Sequence, residues 1–176
     1  MGSRTLLTVA EFEKLPDDGN RHELDEGELI IMPPPRAPHS RVQKRLAILL
    51  DKAVAVAGGS EVLTECGFRL RSDVIQAPDV ALVLDKSRIL SDRYSEFGPD
   101  LAADVLSPSD NAARLQRKIA HYFAAGTSVV WVLDPESKTV TVYEKSGAFR
   151  TLHADNSIDV PSLLPGFSVP VSSLFE

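Results

Sequence analysis

Apolar and polar positions along this chain recur with two periods, and the changes of period mark its elements. From Pro38 or Ser40 onward, Val42, Leu46, Leu49, Leu50, Ala53 and Ala57 recur at helical spacing until Gly58-Gly59, which predicts one long amphipathic helix. Arg41, Lys44, Arg45 and Lys52 fall off that stripe and read as a solvated face. A second helical pattern spans residues 111–125, with Leu115, Ile119 and Tyr122 centred on its apolar face. Strand candidates lie around these helices: residues 61–64, 67–70, the run DVALVL opened by Asp79, the run LAADVL around Asp104, and residues 128–133. Residues 139–144 include TVTVY, which alternates with period two. Nearer the start, Thr8 and Glu11 fit a capping box and predict a short helix ending before Pro16. Residues 21–24 and 28–32 flank Asp25-Glu26-Gly27 and predict a β-hairpin, stopped by Pro33-Pro34-Pro35.

Three stretches are punctuation. Residues 86–99 are mixed and polar, a short helix or a mobile loop at the mouth of a site. Ser107-Pro108-Ser109-Asp110 breaks the Asp104 strand and caps the second helix. Pro161, Pro165 and Pro170 separate short strands expected to wrap an edge. The sum is an α/β fold with a mixed β-sheet flanked by helices.

Composition narrows the class without changing that picture. At 176 residues, residues 1–176 are expected to form a single domain, and 43% hydrophobic with 25% charged residues is ordinary for a globular protein. No apolar run approaches a membrane span and no secretory h-region opens the chain, so the expected setting is the cytoplasm, with no membrane partner. The single cysteine, Cys66, leaves no internal disulfide and reads as a strand-packing residue. A net charge of −6 argues against a strong nonspecific nucleic-acid binder, although a nuclease with its cations on one face remains compatible with it.

The candidate chemistry sits in the two most apolar strands. Asp104 lies inside LAADVL with no local turn or cap to explain it, and a carboxylate there is unfavourable unless compensated. Asp79 follows Pro78 at the start of the neighbouring run. On the second helix Lys118 falls about 60° to the side of the apolar stripe, at the edge of the buried face. Two strand carboxylates and a lysine are what metal-dependent phosphodiester cleavage requires: Asp79 and Asp104 to hold Mg²⁺ or Mn²⁺, Lys118 to meet phosphate charge or position water. Plainer roles stand beside these. Asp79 also suits a turn, and Lys118 suits a core edge with its ammonium in water. His39 ahead of the long helix and Glu28 in the hairpin are candidate assistants that also read as an incidental loop histidine and a solvated glutamate. Glu65 is a third acid able to lean in from a strand. No Ser-His-Asp order, Gly-rich phosphate loop or zinc spacing occurs.

Pro78-Asp79, then Asp104-Val105 followed by Leu106-Ser107-Pro108-Ser109, then Lys118 and Tyr122, resembles the Uma-two family, endonucleases of the PD-(D/E)XK superfamily once catalogued as a domain of unknown function. The likeness continues in His22-Glu23-Leu24 with Gly27-Glu28-Leu29 and Met32-Pro33-Pro34, in His39, in Ala125-Gly126, in Val130-Trp131-Val132 with Asp134-Pro135, and in Leu164-Pro165-Gly166-Phe167. It covers almost the whole chain. The resemblance implies a restriction-endonuclease-like core, Asp79 and Asp104 as metal ligands, Lys118 as the motif's lysine and DNA as substrate. This chain departs from the family where it carries Asp104 in place of the usual Glu, and Arg114 in place of an occasional Asp. The position two past the second acid, where the superfamily motif has lysine, is Leu106. A homodimer is expected, because two-fold symmetry presents two sites to a duplex. The competing function is a catalytically weak nucleic-acid- or protein-binding module on the same fold.

Overall fold

Strands buried on both faces form the centre of the molecule, a computed structural model describing residues 6–55, 58–108 and 110–176. Ala57 and Ser109, assigned above to the helical stripe and the strand break, lie outside the described residues.

Thr8 caps helix α1 (Val9–Phe12) with both halves of the capping box in place: its hydroxyl accepts from the Glu11 N–H, and the Glu11 carboxylate accepts from the Thr8 N–H. Strands β1 (Arg21–Asp25) and β2 (Glu28–Met32) form the hairpin. Glu26 and Gly27 both take positive φ, 52° and 81°, as a two-residue turn with the strands' own twist requires. Helix α2 (Ala37–Val54) has Pro38 in its first turn and buries Val42, Leu46, Leu50 and Val54. After β3 (Glu61–Thr64) and β4 (Phe68–Arg71) comes β5 (Val74–Gln76). Then follow β6 (Val80–Val83), β7 (Leu101–Val105), α3 (Ala112–Ala124), β8 (Val129–Asp134), β9 (Thr139–Glu144) and β10 (Phe149–Leu152). The described chain closes with β11 (Ser157–Asp159), β12 (Ser168–Pro170) and a 3₁₀ turn (Val171–Leu174).

Among the described residues the main sheet has six strands in the order β10-β9-β8-β7-β6-β3, and a second has four in the order β2-β1-β5-β4. The main sheet is mixed: β7 and β8 run parallel, joined by the α3 crossover, and its other pairs are antiparallel. Side chains on β7 and β8 divide by parity. Leu101, Ala103, Val105, Val129, Trp131 and Leu133 share one core with α2, whereas Ala102, Val130 and Val132 pack against Ile119 and Tyr122 of α3. Asp104 has the parity of Ala102 and belongs to the α3 side. This is the helix-flanked mixed sheet that the patterning predicts.

Four details differ from the sequence reading. The short strand β5 is additional; it pairs with both β4 and β1 and so ties the hairpin into the second sheet. Asn111 caps α3, its side-chain oxygen accepting from the N–H groups of Ala113 and Arg114, while Asp110 accepts from the Ser107 N–H. Residues 86–99, read as a short helix or a loop at a site mouth, line no part of the cleft at the ends of β6 and β7. They form a 3₁₀ turn (Lys86–Arg88) and an irregular segment in which Phe97 packs on Phe68, with ring centroids 5.6 Å apart. The C-terminal stretch does more than wrap an edge, since Leu164, Phe167, Val171 and Leu174 complete the core on the α2 face, with Phe167 stacked 6.2 Å from Trp131.

Gly98 sits where the chain passes under the end of α3. A Cβ there would lie 2.5 Å from Thr127 Oγ1 and 3.1 Å from the Tyr122 carbonyl oxygen. Gly98→Ala is expected to destabilise by about 1–3 kcal/mol through overpacking. Denaturant unfolding checks it, and an unchanged midpoint would show that this crossing has room to relax.

Candidate functional site

The site forms where the ends of β6 and β7 meet a cleft of about 1040 Å³ whose lining includes Arg21, Glu23, His39, Asp79, Asp104 and Lys118. The antiparallel register places Val80 opposite Ala103, so Asp79, one residue ahead of β6, lies beside the end of β7. Its Oδ2 accepts from the Val105 backbone N–H at 2.7 Å. From this position elements of several layers reach it. Arg21 Nη1 of β1 donates to Oδ1 at 2.8 Å, and His39 Nε2 of the first turn of α2 is 3.1 Å from Oδ2. Gln43, one helical turn further along α2, donates to the Asp79 carbonyl at 3.1 Å and to Glu65 Oε1 at 3.2 Å. Burial works against a charge on Asp79, yet the His39 hydrogen bond and the Arg21 guanidinium hold its carboxyl well below the usual range.

Lys118 approaches from α3 and is buried. A buried ammonium needs acceptors for its protons. Lys118 Nζ finds Asp104 Oδ1 at 2.8 Å, Glu23 Oε1 at 3.0 Å and the Ala77 carbonyl at 3.2 Å. The same Glu23 oxygen accepts from the Ala77 N–H at 2.9 Å, so β1, the entry to β6, β7 and α3 are joined at this point. Burial disfavours the Lys118 charge, but Asp104 and Glu23 outweigh it and raise its pKa well above the ordinary value. Asp104 is pushed up to about 6 by burial, with Asp79 and Glu23 adding to the rise and Lys118 partly offsetting it.

With His39 neutral, the charges here do not balance. Glu23, Asp79 and Asp104 are buried carboxylates, while Lys118 and Arg21 are the permanently cationic side chains paired with them. Asp104 Oδ2 is buried with no hydrogen-bond partner. An orphaned carboxylate oxygen beside a deficit of positive charge suits a hard cation. Among the described residues no three His, Cys, Asp or Glu side chains gather as a ready ligand set. Mg²⁺ commonly uses one or two carboxylates and completes its shell with water and phosphate, so the donors present fit it.

The structure thus brings Asp79, Asp104, Lys118 and His39 to one cleft. Glu65 stands at its wall, 3.8 Å from Arg21 Nη1. Glu28 is not brought there: it pairs with Asp25 at the turn end of the hairpin, whereas the cleft is lined by Arg21 and Met32 at the open end. Glu23 and Arg21 carry no role in the sequence reading, because RHELD looks like a solvated strand. Two cues point to them: alternation, which puts residues 21, 23 and 25 on one face, and the place of Glu23 in the His22-Glu23-Leu24 likeness.

Comparison with known proteins bears on the family and the fold. The model of the family Uma2, described as a putative restriction endonuclease, matches residues 9–172. A crystal structure of a putative nuclease belonging to DUF820 from Anabaena variabilis superposes with a TM-score of 0.85 at 26% identity, over 96% of this chain and 97% of that one. A comparison with curated proteins found no match.

Proposed function

The chain belongs to the Uma2 family and folds around a restriction-endonuclease-like α/β core, and from that premise we propose that it is an endonuclease hydrolysing DNA phosphodiester bonds with Mg²⁺ or Mn²⁺. The observation that carries this reading is the buried Lys118 ammonium on Asp104, at a cleft, beside an orphaned carboxylate oxygen. Asp79 and Asp104 would hold the cation. Bound there, a divalent cation supplies Lewis-acid charge at the phosphate and makes its water more acidic. Lys118 takes the role of the motif lysine from α3, since the strand position two past Asp104 is the half-buried Leu106. Its ammonium offers a fixed positive charge where negative charge develops on the phosphate. His39, with Nε2 3.1 Å from Asp79 Oδ2, assists by holding that carboxylate in place. Glu28 has no part in this scheme.

The setting proposed is cytoplasmic; among the described residues no helix is long and apolar enough to cross a membrane. For cleavage of both strands the active form is a homodimer.

Incubation with supercoiled plasmid tests the proposal. Nicked product is expected with Mn²⁺ and none with EDTA, and a dimeric mass by light scattering is expected alongside linear product. Retention of plasmid without cleavage under any metal would replace the nuclease by the binding module.

A further inference from the structure

Asp79 presents its two oxygens differently. Oδ2 is anchored within the fold, accepting from the Val105 backbone N–H at 2.7 Å and facing His39 Nε2 at 3.1 Å. Among the described residues Oδ1 has Arg21 Nη1, at 2.8 Å, as its hydrogen-bond partner. Arg21 keeps 24% of its side-chain surface against 3% for Asp79, and it lines the cleft. Its other close contact is a weak acceptor, Met32 Sδ, 3.4 Å from Nη2. A second carboxylate is near at hand: Glu65 Oε1 lies 3.8 Å from the same Nη1, on a side chain 44% exposed.

A guanidinium and a divalent cation cannot both sit on one carboxylate oxygen without strong repulsion. A guanidinium freed into a cleft is in turn well suited to phosphate, whose oxygens match its planar donors. We infer that Arg21 is an exchangeable counter-ion of Asp79, neutralising it in the metal-free protein, yielding Oδ1 to the cation and moving toward Glu65 and the bound phosphate. This rests on the metal-dependent reading above. Cation and nucleic acid are then coupled through one side chain, and each strengthens the binding of the other.

Titration of Mn²⁺ by calorimetry into the parent and Arg21→Met tests the inference. Removing the competitor is expected to tighten Mn²⁺ binding by about tenfold. Plasmid nicking by the same variant should show a raised KM with a smaller change in kcat, because the lost group serves phosphate binding. If Arg21→Met does not fold, Arg21→Gln, which keeps a donor for Asp79 without the charge, is judged by the same criterion. Unchanged or weaker Mn²⁺ binding in a folded variant, with binding intact in the parent, overturns the exchange alone. No Mn²⁺ binding by the parent or by either variant overturns the metal reading and the exchange together.

Discussion

Lys118→Met is expected to lower the stability of the metal-free protein by about 3–5 kcal/mol, the usual consequence of removing one partner from a buried charge pair. For a chain of this size that is a fall in Tm of roughly 6–20 °C. The ammonium satisfies Asp104, Glu23 and the Ala77 carbonyl at once, and methionine fills much of the volume while satisfying none of them. Three buried carboxylates would then share Arg21 as their permanent counter-ion. Mn²⁺ should therefore restore part of the lost stability, while plasmid nicking stays abolished. Melting curves with and without Mn²⁺, run beside the nicking assay, check all three expectations. A fall of less than about 1 kcal/mol would place the ammonium in water, as for a side chain that merely snorkels from a core edge.

Asp104→Asn is expected to act in the opposite direction without metal. Asn keeps an oxygen for Lys118, whose charge Glu23 still meets, and relieves the repulsion that burial, Asp79 and Glu23 impose on Asp104, so the apo protein should be unchanged or slightly stabilised. With metal the order reverses. A cation at a hundred times its Kd adds about 2.7 kcal/mol to the parent, and the variant should gain little of this and should not nick plasmid. Destabilisation by about 3–5 kcal/mol with or without Mn²⁺ would instead make Asp104 a structural counter-ion of Lys118.

The sequence by itself determined which segments become helices and strands wherever a long period was present. The stripe of α2, the alternation of β9 and the apolar runs of β6, β7 and β8 lie where their patterns place them, because burying one face of a regular element requires that spacing. It also singled out Asp104, since a charge in an apolar strand has no local explanation, and the resemblance that followed agrees with the family found. Short elements were not legible in this way. Three residues of β5 carry no period, and that strand exists because β1 and β4 flank it. Tertiary structure alone decided the neighbours of the two acids. Glu23 is polar in a polar strand, and it is buried only because α3 brings Lys118 over β1. Arg21, 58 residues from Asp79 in sequence, meets it only because the hairpin packs beside the end of β6. Glu28 shares the hairpin but stands at its other end, away from the cleft. Pattern reports which face of an element is buried; which charges meet across faces depends on how separate elements dock, and local sequence spacing does not record it.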